Sequence, residues 1–341
     1  MTKANESSYD NSISIDMARD LMLSAFNTTS IKSMPTPTPY GKQTELGIKV
    51  NKAIEALKMF EPEDEPYYLC YSGGKDSDVI RILAQLAGVK HEIHHNLTTV
   101  DAPETIQYIK TIPNVHIDFA RWEDGSHKTM WNLIPIKKMP PTRIARYCCE
   151  HLKEHGGKGK LKITGVRWAE SKNRKDNQGG ITIIGKSKTV QKKLSEDNMF
   201  FQLTNKGGVV LNLDNADSRR AVEYCYRTTT TLVNPIIDWT DNDVWELLNH
   251  YGCEGNPLYK CGYGRIGCVG CPLGGYKSMK QELKLYPKYK ANYIRAFDKM
   301  IKSRRVSGLK TVWNSGEEVL HWWINADTNQ LTFEGFDLLD V

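Results

Sequence analysis

Apolar positions along the chain switch between helical and strand spacing from about residue 45 onward. Residues 46–60 have the helical spacing, and 67–72 form a short apolar strand followed by a helix that ends at Gly88. Further strands are predicted at 91–99, 114–120 and 160–167, with helices at 103–112 and 143–157 between them. Strands that alternate with helices predict an α/β fold with a doubly wound parallel sheet.

The pattern also divides the chain into parts. Residues 1–43 are predicted to be an N-terminal appendage and linker, and 44–275 the main α/β domain. Within it, about 173–217 forms a β-rich insertion with glycine pairs and short β-like pieces. Residues 276–341 are predicted to form a C-terminal basic helical region.

Composition and charge narrow the class of protein. Of 341 residues, 40% are hydrophobic and 25% charged, which is typical of a globular protein. No long uncharged apolar run and no secretory signal is visible, so we expect no membrane partner and a cytoplasmic protein. The net charge of +6 permits nucleic-acid contact. Residues 277–310 hold eleven Lys and Arg against two acids, and Lys277, Lys280, Lys284 and Lys288 are predicted to share one helical face.

A glycine-rich loop lies between the first strand and its helix. It reads Ser72-Gly73-Gly74-Lys75-Asp76-Ser77. Glycines let backbone N–H groups approach an anion, and a helix N-terminus favours phosphate. Lys75 adds a positive charge, and Asp76 could help to hold Mg²⁺ beside a pyrophosphate. The simpler alternative is a tight strand–helix turn, but the complete motif in this context favours phosphate binding.

Cysteines form the second constellation. Cys148 and Cys149 are adjacent, and Cys268 and Cys271 have C-x2-C spacing, with Cys261 a little upstream. Four soft thiolates suit an iron–sulfur cluster. A four-thiolate zinc site and buried free cysteines are the alternatives.

These motifs resemble the phosphoadenosine-phosphosulfate reductase family of the ATP-pyrophosphatase (PP-loop) superfamily, whose adenine nucleotide α-hydrolase-like fold is the one expected here. The loop matches that superfamily's SGGxDS pattern, and IIDWTDNDVW followed by NPLYKCGYGRIGCVGC matches the reductase family. The resemblance implies that Gly165 and Arg167 lie near the nucleotide with the loop residues. It also implies a [4Fe-4S] cluster held by Cys148, Cys149, Cys268 and Cys271.

One departure changes the implied activity. Reductases of the family use a C-terminal cysteine as nucleophile, whereas here no cysteine follows Cys271. DNA-phosphorothioation sulfurtransferases (DndC-like) resemble the chain better, and their pattern implies Cys261 as fourth ligand in place of Cys149. The residues leave both ligand sets open.

The resemblance therefore implies an enzyme that binds ATP and Mg²⁺, adenylates an acceptor and transfers sulfur to it. Lys75, Asp76 and Arg167 are the expected catalytic residues. The expected partners are an adenine nucleotide, a sulfur donor such as a cysteine desulfurase, and a nucleic-acid acceptor, DNA rather than tRNA. A phosphosulfate or adenylyl-sulfate reductase and a non-catalytic nucleotide or cluster sensor are the alternatives.

Overall fold

The protein was analysed as a computed structural model, which describes residues 44–184, 201–204, 208–211 and 230–325 and the single positions 192, 195 and 222. The predicted N-terminal appendage, residues 1–43, lies outside the described residues, as does most of the insertion beyond residue 184. Within the described residues, no helix has both the length and the apolar character that crossing a bilayer requires.

An eight-stranded sheet forms the centre of the fold. Its strands are β1 (Tyr67–Cys70), β2 (His91–Leu97), β3 (Val115–Phe119), β4 (Leu161–Ile163), β5 (Ile181–Ile184), β6 (Gln202–Leu203), β7 (Val209–Leu211) and β8 (Thr230–Val233). Their order is β3-β2-β1-β4-β8-β5-β7-β6. Neighbouring strands are parallel from β3 to β8 in this order. The pairs β8–β5, β5–β7 and β7–β6 are antiparallel. This mixed sheet confirms the predicted α/β fold class.

Helices connect and cover these strands. They are α1 (Glu45–Met59), α2 (Lys75–Ala87), α3 (Pro103–Lys110), α4 (Met130–Lys137), α5 (Lys172–Asn177), α6 (Asp241–His250), α7 (Tyr276–Leu285), α8 (Pro287–Val306) and α9 (Gly316–Asn325). Short 3₁₀ turns occur at Trp168–Glu170, Pro257–Tyr259 and Pro272–Gly274. Thr240 caps the N-terminus of α6, because its hydroxyl accepts from the backbone N–H of Asp243.

The chain reverses its direction across the sheet between β1 and β4. From β1 it moves outward through β2 to β3, and then returns to place β4 on the other side of β1. Leu69 in β1 is paired with Ile93 on one side and Ile163 on the other. Ligands of open parallel sheets bind outside the carboxyl ends of the strands at such a reversal. The loops that follow β1 and β4 therefore face a common crevice.

Three local predictions differ from the structure. The helix predicted over 143–157 is limited to 147–153 and ends as a π-helix, Cys149–Lys153, in which the Glu154 N–H reaches the Cys149 carbonyl at 2.9 Å. A helix that the sequence analysis missed, α4, begins at a capping box between Thr129 and Asn132. The described residues of the insertion include β5. This strand pairs with β8, so the insertion extends the main sheet.

The single basic face predicted for the C-terminal region is also wrong. Helix α7 ends at Leu285, and Pro287 is the first residue of α8, so Lys288 lies on a different helix from Lys277, Lys280 and Lys284. Proline has no backbone N–H to continue a helix but is well suited to begin one.

Two apolar clusters stabilise the fold. One fills the space between the sheet and helices α1, α2 and α6. The other joins α4 to α7, α8 and α9, and contains the large side chains of Tyr293, Phe297 and Trp323. The second cluster also packs against Cys148, Cys261 and Cys268, so it supports the loops that carry the cysteines. The division into three domains stays a prediction.

Candidate functional site

The loop between β1 and α2 has the backbone that the glycines allow. Gly73 has a positive φ of 72°, and a Cβ there would lie 2.9 Å from Ile109 Cγ1. Gly74 is the N-cap of α2, and its N–H donates to the Ser77 hydroxyl at 3.1 Å. That hydroxyl donates back to the Gly74 carbonyl at 2.7 Å, and Ser72 Oγ lies 3.3 Å from it. The loop is therefore a tight turn that opens a helix.

Residues after α6 hold this loop from the other side. Asn256 donates to the Gly73 carbonyl at 3.0 Å and to Thr105 Oγ1 at 3.1 Å. The Lys75 backbone N–H donates to the Tyr259 hydroxyl at 2.9 Å. An oxygen acceptor thus lies at the N-terminus of α2, the position where such loops take an anion.

The loop after β4 meets the phosphate loop through a buried arginine. Arg167 is 1% exposed, and its Nε donates to Asp76 Oδ1 at 2.7 Å. The same guanidinium donates to Asp241 Oδ1 at 2.6 Å and to the Trp239 carbonyl at 3.2 Å. Gly165 permits this approach, since a Cβ there would lie 2.9 Å from the Asp76 carbonyl oxygen. The structure therefore brings together Lys75, Asp76, Gly165 and Arg167 as predicted.

Asp241 is a site residue that the sequence analysis missed. Its Oδ1 also lies 3.3 Å from Lys75 Nζ, although the carboxylate is 70% exposed. Burial acts to raise the pKa of Asp241, but the Arg167 hydrogen bond and the Lys75 charge outweigh it and lower that pKa. Asp76 and Asp241 therefore present two carboxylates, both held by Arg167, at the mouth of the crevice. Carboxylate oxygens of this kind suit Mg²⁺. The local signal for it in the sequence is the acidic first turn of α6.

A buried polar cluster supports α2 from below. Asp78 is fully buried and accepts from the Tyr71 hydroxyl at 2.5 Å and from the Tyr108 hydroxyl at 2.9 Å. Arg81 lies 3.8 Å from the same carboxylate. Burial raises the pKa of Asp78, and Arg81 opposes this rise. The cluster ties β1, α2 and α3 together directly behind the loop.

The predicted cysteine ligands all line one cavity. This cavity has a volume of about 1020 Å³, and its wall includes Cys148, Cys149, Cys261, Cys268 and Cys271. All five are free thiols. The backbone of Val269 donates to the Val100 carbonyl at 2.7 Å, which attaches the C-x2-C loop to the segment after β2. The structure thus assembles residues that are more than a hundred positions apart in sequence.

The thiols of the cavity do not interact equally. The neighbouring Cys148 lowers the pKa of Cys149, with help from Arg146 and against the effect of burial. The pKa of Cys148 is raised by Cys149, by burial and by the charges of Cys268 and Cys271. For Cys261, burial and Glu104 raise the pKa. All five thiols line the same cavity, so both ligand sets stay open.

Among the residues that the structure describes, no three His, Cys, Asp or Glu side chains converge on one point as ligands of a single metal ion. The donor chemistry still fits a sulfur-ligated cluster, because several thiols face one cavity together with the basic residues Arg146 and Lys153.

Basic residues connect the cavity with the phosphate loop. Arg174 lines the cavity and forms an ion pair with Glu170, close to Arg167 in the chain. Burial lowers the pKa of Arg174, and the charges of Arg265, Arg167 and Arg146 lower it further while Asp76 opposes them. Arg174 therefore links the cavity wall to the turn that follows Arg167. The loop and the cysteines are therefore neighbouring parts of one basic region.

A family model described as the phosphoadenosine phosphosulfate reductase domain matches residues 66–273. The chain belongs to this family, and the matched range contains the phosphate loop, Arg167, Asp241 and all five cavity cysteines. The prediction that the chain is a member of this enzyme family is confirmed. Membership of the particular branch of DNA-phosphorothioation sulfurtransferases is not confirmed.

Individual relatives match either a short segment of the chain or a longer part at low sequence identity. An adenosine 5′-phosphosulfate reductase of Allochromatium vinosum is 41% identical over 39 residues, 11% of this chain and 15% of that protein. An uncharacterised protein of Methanocaldococcus jannaschii is 27% identical over 229 residues, 64% of this chain and 44% of that protein. The chain thus spans less than half the length of these curated relatives. The crystal structure of a phosphoadenylyl-sulfate reductase from Candida auris superposes with a TM-score of 0.38 and 12% identity, over 68% of this chain and 98% of that chain.

Proposed function

We propose that the protein is an adenine-nucleotide-dependent sulfurtransferase that binds Mg·ATP at the Ser72–Ser77 loop. The observation that carries this proposal is the pair of carboxylates, Asp76 and Asp241, that Arg167 holds beside Lys75. Two carboxylates at a phosphate loop suit a nucleotide whose pyrophosphate carries Mg²⁺. A cytoplasmic setting, as the composition predicts, belongs to the same proposal.

The reaction divides into two steps. An oxygen of the acceptor attacks the α-phosphorus of ATP; a new P–O bond forms, the bond to the β-phosphate breaks, and pyrophosphate leaves. A sulfur nucleophile then displaces AMP, which departs with the acceptor oxygen. Lys75 and the N-terminus of α2 stabilise the charge that develops on pyrophosphate. Arg167 positions Asp76 and Asp241. The sulfur comes from a donor such as a cysteine desulfurase, and the acceptor is a nucleic acid, DNA in preference to tRNA.

The cysteine cavity would hold a [4Fe-4S] cluster beside the nucleotide. Cys148, Cys149, Cys268 and Cys271 are the proposed ligands, because they line one cavity and are the set that the family resemblance implies, with Cys261 the alternative to Cys149. When bound, the cluster would supply iron and sulfide sites for handling sulfur. Arg146 and Lys153 balance the negative charge of four thiolates in this cavity.

A reductase acting on adenylyl sulfate or its 3′-phosphate is the second candidate, and the printed name of the Allochromatium vinosum relative favours it. Such a nucleotide carries no β- and γ-phosphates to bind Mg²⁺. The dependence of binding on Mg²⁺ therefore separates the two candidates.

Calorimetric titration of the anaerobically purified protein with ATP and with adenylyl sulfate, each with and without Mg²⁺, tests the proposal. We expect Mg²⁺ to tighten ATP binding at least about tenfold, and Asp241→Asn to remove most of that gain, since it deletes one of the two carboxylates. Tighter binding of adenylyl sulfate than of Mg·ATP, independent of Mg²⁺, would instead establish the reductase. Binding of ATP without turnover in any acceptor assay would favour a nucleotide sensor.

A further inference from the structure

Helix α8 carries a row of exposed basic side chains that the cysteine and nucleotide sites do not use. Lys288, Arg295, Lys299 and Lys302 are all exposed, and we call them the basic stripe. At 3.6 residues per turn their spacing of seven, four and three positions places them within an arc of about 60°. They span about 21 Å of helix at 1.5 Å per residue. The stripe is therefore straight and lies on one face.

The opposite face of α8 fixes the helix to the protein. Tyr293, Phe297 and Met300 are buried against α4 and α9. The Tyr293 hydroxyl donates to the carbonyl of Val269, between two of the cavity cysteines, at 2.9 Å. The stripe is thus mounted rigidly and points away from the buried face that supports the cysteine loop.

The charge of the stripe is not compensated by neighbours. None of its four side chains forms an ion pair with a carboxylate of the described residues. Asp298, the one acidic residue of α8, accepts from the backbone N–H of Gly316 at 2.6 Å. An ordinary solvated helix mixes both signs of charge along its exposed face. A face of one sign over 15 residues of a 20-residue helix points to a polyanionic partner.

We propose that the basic stripe binds the phosphate backbone of duplex DNA. This inference rests on the nucleic-acid acceptor of the proposed function and names the surface that holds it. Proteins that bind single strands stack bases on exposed aromatic rings. On α8 the aromatic side chains Tyr289, Tyr293 and Phe297 are partly or fully buried, and none is exposed on the stripe. The stripe therefore offers charge without stacking, which suits a duplex that presents a phosphate about every 1.7 Å of its axis.

The stripe also leads toward the cysteine cavity. Lys284 lines the cavity and is four residues before Lys288, so the two Cα atoms are at most about 14 Å apart. Lys277 and Lys280 are exposed on the same short helix, α7. The N-terminal end of the stripe is therefore within about 14 Å of a residue of the cavity wall.

A salt titration of labelled duplex DNA binding to the full chain tests this surface. Four phosphate contacts predict a slope of log K against log salt of about −3.6, since each contributes about −0.9. The double variant Lys299→Gln/Lys302→Gln should reduce the slope to about −1.8, because two contacts are lost. A matched control, Lys52→Gln/Lys58→Gln, removes the same charge from exposed positions on α1 and should leave the slope unchanged. Glutamine keeps the helix propensity of lysine in all four positions.

Three outcomes would overturn the inference. Equal slopes for the stripe and control variants would show that net charge alone drives binding. Tighter binding to single-stranded DNA, to tRNA or to anionic phospholipid vesicles than to duplex would assign the stripe to another partner. Absence of duplex binding at low salt, with Mg²⁺-dependent ATP binding intact, would remove the DNA surface and leave the nucleotide proposal standing.

Discussion

Arg167 donates from Nε to Asp76 Oδ1 at 2.7 Å and so joins the loop after β4 to the loop after β1. Both loops leave the sheet where the chain reverses across it. Because Arg167 is almost fully buried and also binds Asp241, its position is fixed by the fold rather than by a ligand. The two carboxylates are held in place before a nucleotide arrives, which is the condition for electrostatic preorganisation.

Changing Arg167 to lysine should separate this positioning from simple charge. Lysine keeps the positive charge but cannot donate to Asp76 and Asp241 in the planar, forked geometry of arginine. We expect nucleotide turnover to fall by about 100-fold, comparable to the loss of one preorganised group. Steady-state kinetics with a Mg²⁺ titration checks this, and turnover within about threefold of the wild type would show that only charge matters at this position.

Gly165→Ala tests the close contact between the two loops. The added Cβ would meet the backbone of Asp76 at 2.9–3.0 Å, so the carboxylate must shift. We expect a loss of turnover with only a small fall in melting temperature. Gly88→Ala is the control: its φ of 68° strains alanine, but nothing lies within 4 Å of the added Cβ. That variant should lose stability, about 1 kcal/mol, without a change in activity of the folded protein. The reverse pattern would contradict the role given to Gly165.

The buried cluster around Asp78, behind the phosphate loop, should contribute to the free energy of unfolding. Asp78→Asn leaves Arg81 without its charged partner, and removing one member of a buried pair costs about 3–5 kcal/mol. Tyr71→Phe deletes one hydrogen bond to the same carboxylate and should cost less, about 1.5–3 kcal/mol. Urea denaturation measures both. An Asp78 variant as stable as the wild type would show that the cluster contributes nothing to holding α2.

Single cysteine substitutions distinguish the two ligand sets. Serine at Cys148, Cys149, Cys268 or Cys271 should abolish bound iron and sulfide after anaerobic preparation, because these four are the proposed ligands. Cys261→Ser should retain both, since Cys261 is a ligand only in the alternative set. Iron and sulfide analysis with visible absorption spectra reads out each variant. Loss of the cluster in Cys261→Ser and its retention in Cys149→Ser would reverse the assignment, and stoichiometric zinc in the wild type would exclude a cluster.

The parts of the site that the sequence could predict are those with local signals. The phosphate loop is a continuous motif between a strand and a helix, and the structure places it there. The parallel sheet followed from the alternation of apolar segments, each of which lies within a few residues of its predicted position. The spacing of the cysteines in the sequence indicated the two pairs, and the structure brings them to one cavity.

Residues that act across long separations were harder to find. Asp241 and Tyr259 reach the loop through contacts with Arg167 and with the Lys75 backbone, and no local pattern encodes a contact between residues so far apart. The predicted helix around Cys148 was too long, because helical spacing does not show where a chain changes to π-helical hydrogen bonding. The prediction of one basic face is wrong at Pro287, because α7 ends before this proline and α8 begins with it.

Pyrophosphate release is the most direct measurement of the central claim. The anaerobically purified protein is incubated with duplex DNA, a sulfur donor, a dithiol reductant and either ATP or adenylyl sulfate, with and without Mg²⁺, beside the Asp76→Asn variant. We predict pyrophosphate release from ATP that requires Mg²⁺ and falls at least about 100-fold in the variant, because Asp76 is one of the two carboxylates at the loop. Absence of pyrophosphate from ATP, together with sulfite release from adenylyl sulfate, would contradict the account and establish a reductase.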